Sequence, residues 1–177
     1  MVNVHGIIYA YGATPNLTEL VRNRTAASIP YCGRYRLIDF ALSSLMNAGI
    51  HNVGVIMQRD YQSLLDHLGS GKDWDMGRRM GGLRMLPPFG LPEYHNGNYS
   101  GTMEALNGVR TYIEDIKEDT VVMMQGNLAG NIDLEAALRT QRGRAYSHLH
   151  RHHSRIPSPP LRSRRGRLCP QDGIQPL

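Results

Sequence analysis

Two groups of residues near the C-terminal end could do chemistry on composition alone. Four of the eight histidines stand together at His148, His150, His152 and His153. Imidazoles so closely spaced can ligate a transition metal. Here no helix is expected to present them, and no cysteine or carboxylate stands near to complete a ligand set, so they read better as a solvated tract. Residues 139–177 also carry nine arginines against one acid, Asp172. Such a run would bind polyanions without sequence preference and in a salt-sensitive way. Tyr146 is the one aromatic among them, so base stacking has little support. Cys32 and Cys169 lie far apart and outside any Cys-x-x-Cys spacing, which argues against a disulfide framework or a zinc site.

The remainder of the chain has the opposite sign. Residues 1–138 hold 11 basic and 14 acidic side chains, so the net charge of +5 belongs to the tail. This argues against reading the whole protein as a nucleic-acid-binding domain. The 177 residues suffice for one domain with a real core. No apolar run approaches the roughly 20 residues that span a bilayer, and Met1–Gly6 lacks the basic start and cleavage pattern of a secretory signal. A reduced, cytoplasmic setting without membrane contact is the expectation.

The elements that must position any site alternate between strand and helix. Val2–Tyr9 reads as a buried first strand that ends in a turn at Ala10-Tyr11-Gly12. Leu37, Ile38, Ala41, Leu42 and Leu45 fall at helical spacing within Tyr35–Asn47, which Gly49 stops. Asn52–Met57 is a second strand. Asp60 can cap a helix whose inner face is Tyr61, Leu64, Leu65 and Leu68. Ser70–Asn98 is long and rich in Gly and Pro, with a short strand at Leu83–Leu86; irregular stretches of this length are usually functional. Thr102–Ile116 has an amphipathic helical pattern, Thr120–Met124 is a third buried strand, and Asp133 is the expected N-cap of a helix from Leu134. Strands alternating with helices imply a parallel sheet, and such sheets bind ligands at the carboxyl ends of their strands. Those ends are Tyr9–Pro15, Gln58–Arg59 and Gln125–Gly130.

After Leu138 neither period continues. High charge with few apolar groups predicts disorder for residues 139–177. An abrupt change of composition inside an unfinished α/β pattern is what a shifted reading frame produces; a genuine basic arm that binds polyanions is the alternative.

Periodicity does not account for the run Arg24–Phe40, RTAASIPYCGRYRLIDF. It resembles the RAKPAVPFGGKYRIIDF segment of the glucose-1-phosphate adenylyltransferase (ADP-glucose pyrophosphorylase) family. The likeness continues in Leu42–Ile50, in Tyr61–Asp75, in Leu86–Gly90 and in Gly101-Thr102 followed by Glu104-Ala105. These blocks span about residues 4–138, in the family's order. The HLGSGKDWD and LPPFG wording, with a degraded first loop, resembles the regulatory, GlgD-type branch.

The resemblance implies an α/β fold: a Rossmann-like nucleotidyltransferase domain, truncated, mostly parallel with flanking helices, over residues 1–138, followed by the tail 139–177. It implies a regulatory-type subunit that supports ADP-glucose synthesis from ATP and glucose 1-phosphate for glycogen, in a hetero-oligomer with a catalytic adenylyltransferase subunit. Nucleotidyl transfer needs backbone donors and cations around a triphosphate, and carboxylates that hold a divalent metal, magnesium in this family. Several of those positions have changed. The first loop keeps a single glycine, Gly12, and an arginine of the family falls at about Asn16. The family's lysine and proline fall at Ala26 and Ala27. Tyr9 and Tyr11 replace small residues, where bulky rings would take space that a triphosphate needs. The metal-ligand aspartate falls at Asn127, which without the resemblance would read as a turn residue. The retained nucleotide-facing positions, Gly12, Gln58, Gly101 and Thr102, are vestigial in this reading. Weak or no binding of ATP and ADP-glucose, no resident metal and no catalytic residue are the expectation. Arg36 and Asp39 are expected to orient the helix that follows them. Trp74 is either a partly buried loop residue or an anchor for a subunit contact. The alternative function is a non-catalytic interaction protein with a polyanion-binding tail.

Overall fold

The structure, a computed structural model, describes residues 3–12, 17, 19–78, 81–88 and 99–141. The tail beyond Gln141, with its histidines and most of its arginines, lies outside them, as do Asn16 and Phe89-Gly90. Strand β1 (Val4–Tyr9) is buried along its whole length, as an apolar run in the middle of a parallel sheet must be. The chain then passes through a 3-10 turn (Ala26–Ser28) and a small antiparallel pair, β2 (Pro30–Tyr31) and β3 (Tyr35–Arg36), into helix α1 (Leu37–Asn47). Strand β4 (Val53–Ile56), helix α2 (Gln62–Leu68), a 3-10 turn at Lys72–Trp74 and strand β5 (Leu83–Leu86) follow. Helices α3 (Thr102–Gly108) and α4 (Arg110–Glu114), strand β6 (Thr120–Gln125) and helix α5 (Leu134–Gln141) complete the described chain.

The main sheet has the order β5-β4-β1-β6, and every pairing in it is parallel. Its register sets Tyr9 beside Ile56 and Gln125, and Ile56 beside Leu86, so the carboxyl ends of all four strands lie level. Alternation along the strands divides the core in two. On one face Ile8, Val53 and Val55 pack with Ile38, Leu42 and Leu45 of α1, Leu64 and Leu68 of α2, and Leu134 of α5. On the other, Ile7, Tyr9, Ile56 and Leu86 meet Ala105 and Val109 at the α3–α4 junction. Gly54 is bare because the Tyr112 ring crosses it; a Cβ there would lie 2.6 Å from Tyr112 Cε1. The α3–α4 layer leaves β6 partly uncovered: Val121 is 40% and Met123 53% exposed, and β6 is the last strand of the sheet among the described residues.

The expected α/β architecture is present, with local differences. The helical pattern over Thr102–Ile116 forms two short helices, because Val109 leaves helical geometry at φ −111, ψ 23. The helix expected from Tyr35 starts at Leu37, since Tyr35 and Arg36 pair with β2. Asp60 is not a cap: it sits at φ +62, and Tyr61 takes the N-cap position of α2. Asp133 does cap α5, its Oδ1 accepting the Ala136 N–H at 2.9 Å. Trp74 is 7% exposed and belongs to the larger core, so it is not a surface anchor. No helix among the described residues is long and apolar enough to cross a membrane.

Candidate functional site

The strand order locates the site before any side chain is considered. From β1 the chain moves outward to β4 and β5, then returns to place β6 on the opposite side of β1. A crevice opens where successive connections leave a parallel sheet in opposite directions, here at the carboxyl ends of β1 and β6. The backbone closes just beyond the sheet: Ala10 N–H donates to Ile56 O at 2.9 Å and Gly126 N–H to Tyr9 O at 2.8 Å.

Gly12 and Asn127 flank this crevice. Gly12 is exposed at φ +140, a conformation that favours glycine, and a Cβ there would meet Gln125 Oε1 at 3.9 Å. Asn127 is half-buried in the turn directly after β6. Gly126, just before Asn127, has no room for a side chain, since a Cβ would lie 3.1 Å from Ile8 Cγ2 and 3.2 Å from Ala27 Cβ. The 3-10 turn Ala26–Ser28 therefore packs directly on the end of β6. Ala26 is 5% and Ala27 1% exposed, so the position that the resemblance assigns to a lysine holds a buried methyl group.

Gly101 and Thr102 form the exposed N-terminus of α3, and Tyr11 links them to the β1 loop. The Tyr11 ring sits 5.6 Å from Tyr9 at 86° and 5.6 Å from Tyr99 at 55°. Burial, with Tyr9 adding to it, pushes the Tyr11 phenol up to about 12, and the Thr102 hydroxyl opposes this. Among the described residues the buried Tyr11 and Tyr99 hydroxyl oxygens have no hydrogen bond of good geometry. Tyr9 differs from expectation. Its ring is 5% exposed in the smaller core and its hydroxyl donates to Met123 Sδ at 3.1 Å, so it takes no space in the loop. Gln58 stands past β4, on the other side of β1 from Asn127, and is half-buried with a polar partner. The structure thus gathers Gly12 and Asn127 at one crevice, joins Gly101 and Thr102 to it through Tyr11, and keeps Gln58 in the neighbouring gap.

The donors do not suit magnesium, the metal that the resemblance implies. Asn127 offers a neutral amide oxygen where a hard cation needs carboxylates. Among the described residues no three His, Cys, Asp or Glu side chains converge to hold an ion. A separate apolar cleft of about 480 Å3 lies between the β2–β3 pair, α1 and Gly130-Asn131. Asp39 in its wall is committed: Oδ2 accepts the Arg36 N–H at 2.9 Å and Oδ1 meets His67 Nε2 at 2.7 Å. Arg36 in turn donates from Nη1 to Ser63 Oγ at 2.7 Å, so the Arg36–Asp39 pair does orient α1, and it ties α1 to α2. The contact of Ala27 with Gly126 and the tilted contact of Tyr99 with Tyr11 have no local signal in the sequence; only a pairing pattern across long separations could reveal them.

The nucleotidyl transferase family profile matches residues 5–149. A glycogen biosynthesis protein GlgD of Geobacillus stearothermophilus is 37% identical over 133 residues, 75% of this chain and 38% of that protein. A glucose-1-phosphate adenylyltransferase of Halalkalibacterium halodurans is 35% identical over 130 residues, 73% of this chain and 34% of its own length. One from Clostridium acetobutylicum is 37% identical over 121 residues, 68% and 32% of the two chains. The chain spans about a third of the length of the curated relatives it matches.

Proposed function

The chain belongs to the nucleotidyl transferase family, and from that premise we propose that it acts as a regulatory-type subunit in ADP-glucose synthesis for glycogen. In this reading ATP and glucose 1-phosphate react on a catalytic adenylyltransferase subunit, and this chain joins it in a cytoplasmic hetero-oligomer. The observation that carries the reading is Asn127. It sits in the turn directly after β6, at the strand end beside the switch point, and it supplies an amide where the resemblance puts the family's metal-ligand carboxylate. The buried Ala26 supports it, since no cation can reach a triphosphate from that position. The relatives named for glycogen biosynthesis and for glucose 1-phosphate adenylylation support the pathway.

The test is pyrophosphate release from ATP and glucose 1-phosphate with magnesium. The chain alone should match a no-enzyme control. Co-expressed with the catalytic subunit of its own organism, it should co-purify and change the rate of ADP-glucose synthesis. Release by the chain alone, well above the control, overturns the reading. A polyanion-binding role for the tail is the second reading, favoured by the nine arginines against one acid after Leu138. It requires that removal of residues 139–177 abolish binding to heparin.

A further inference from the structure

We infer that Tyr11 determines whether the switch crevice admits a nucleotide, and that its ring closes the α3 side of that crevice. The inference deepens the proposed function and rests on it only for the choice of nucleoside triphosphate as ligand.

Tyr11 is the second residue past β1, the strand from which the chain's connections diverge. Its side chain turns to the α3 side, packed against the smaller core. Its ring meets Tyr9 edge-on and Tyr99 at a tilt; Tyr9 is fixed in the core by burial and its bond to Met123, and Tyr99 lies just before the α3 N-terminus. Tyr99 is itself held, because Gly108 on α3 leaves room for it; a Cβ at Gly108 would come within 3.1 Å of the Tyr99 ring. The result is an aromatic wall of three rings from the end of β1 to just before α3, with Tyr11 beside Thr102. Among the described residues neither buried phenolic oxygen, of Tyr11 or of Tyr99, has a well-aligned hydrogen-bond partner. Burying a hydroxyl without a partner is unfavourable, so the packing of the rings holds them there. A smaller residue at position 11 would remove the middle of the wall and open the crevice beside the glycine and the exposed helix N-terminus.

The experiment measures the affinity of the full 177-residue chain for ATP with magnesium, by equilibrium dialysis, in the natural sequence and in Tyr11→Gly, Tyr11→Ser and Tyr11→Phe. Glycine and serine should each tighten binding by about tenfold or more, which is about 1.4 kcal/mol. Phenylalanine keeps the ring and should leave affinity unchanged. If Tyr11→Gly melts at a lower temperature, Tyr11→Ser and the full-sized Tyr11→Phe still decide the matter. Equal or weaker binding in the folded small-residue variants, or a gain in Tyr11→Phe, overturns the inference. Turnover by the natural chain would defeat the proposed function and leave this comparison of affinities intact.

Discussion

Asp39 and His67 join the two helices that flank β4, Oδ1 to Nε2 at 2.7 Å, with Asp39 only 7% exposed. The other carboxylate oxygen receives the Arg36 N–H that opens α1, so one side chain caps a helix and ties it to the next. Replacing Asp39 with alanine removes a cap and leaves a half-buried imidazole without its partner. The expected loss is about 2 kcal/mol or more by urea unfolding, with Asp39→Asn intermediate. An Asp39→Ala chain as stable as the natural one would show that the tie contributes nothing.

A second tie lies at the opposite end of the sheet. His5 Nε2 meets Tyr112 Oη at 2.7 Å, His5 Nδ1 faces Glu118 at 3.4 Å, and Glu118 accepts from Asn52 Nδ2 at 2.6 Å. Burial lowers the His5 pKa, and Glu118 only partly offsets it. Burial would raise the Glu118 pKa, but bonds from Asn52 and the backbone, with His5 beside it, bring it below its usual value. The folded state thus binds fewer protons than the unfolded one at both sites. The His5 contribution is complete above the unfolded value of about 6.5 and is lost as pH falls below it. The Glu118 contribution goes at lower pH, as that group protonates in the fold. The melting temperature should therefore drop from neutral pH downward, and His5→Gln should flatten the first part of that decline. An equal slope in both chains would remove His5 from the account.

Gly54 has no room for a side chain beneath the Tyr112 ring. A Cβ would lie 2.6 Å from Tyr112 Cε1 and 2.8 Å from Tyr112 Oη, the atom that His5 bonds. Gly54→Ala should displace that ring, break the bond and cost about 1–3 kcal/mol. Thermal melts of Gly54→Ala, Tyr112→Leu and the double variant check this, because the glycine's cost should shrink once the ring is gone.

Asn127→Asp returns a charge to the crevice. It should raise magnesium affinity in a calorimetric titration and still give no pyrophosphate release, since Ala26 remains a buried methyl group. Turnover in this single variant would mean that the amide alone silences the site.

Local signals carried much of this fold. The β-branched runs at β1, β4 and β6 and the helical spacing of Ile38, Ala41, Leu42 and Leu45 each mark an element that the structure contains. The exceptions lie where the backbone departs from what the residue type suggests. Cys32 at φ +49, in the turn between β2 and β3, and Asp60 at φ +62, just before α2, hold conformations that side chains rarely adopt. At Val109 the apolar pattern continues while the backbone leaves helical geometry, so periodicity alone cannot reveal the break. In the site, Gly12 and Asn127 were legible as residues at strand ends. The Tyr11–Tyr99 ring contact and the seat of Ala27 on Gly126 bring together residues far apart in the chain, and a linear reading has no purchase on them.

The open flank of β6 bears on how such a chain survives in a cell. Its six residues, Thr120–Gln125, contain no charge, no proline and no glycine, and two apolar side chains face outward. Strands of this composition pair readily with any other free edge, their own copies included. A surface that covers that flank would therefore shield the chain from self-association as well as bind it.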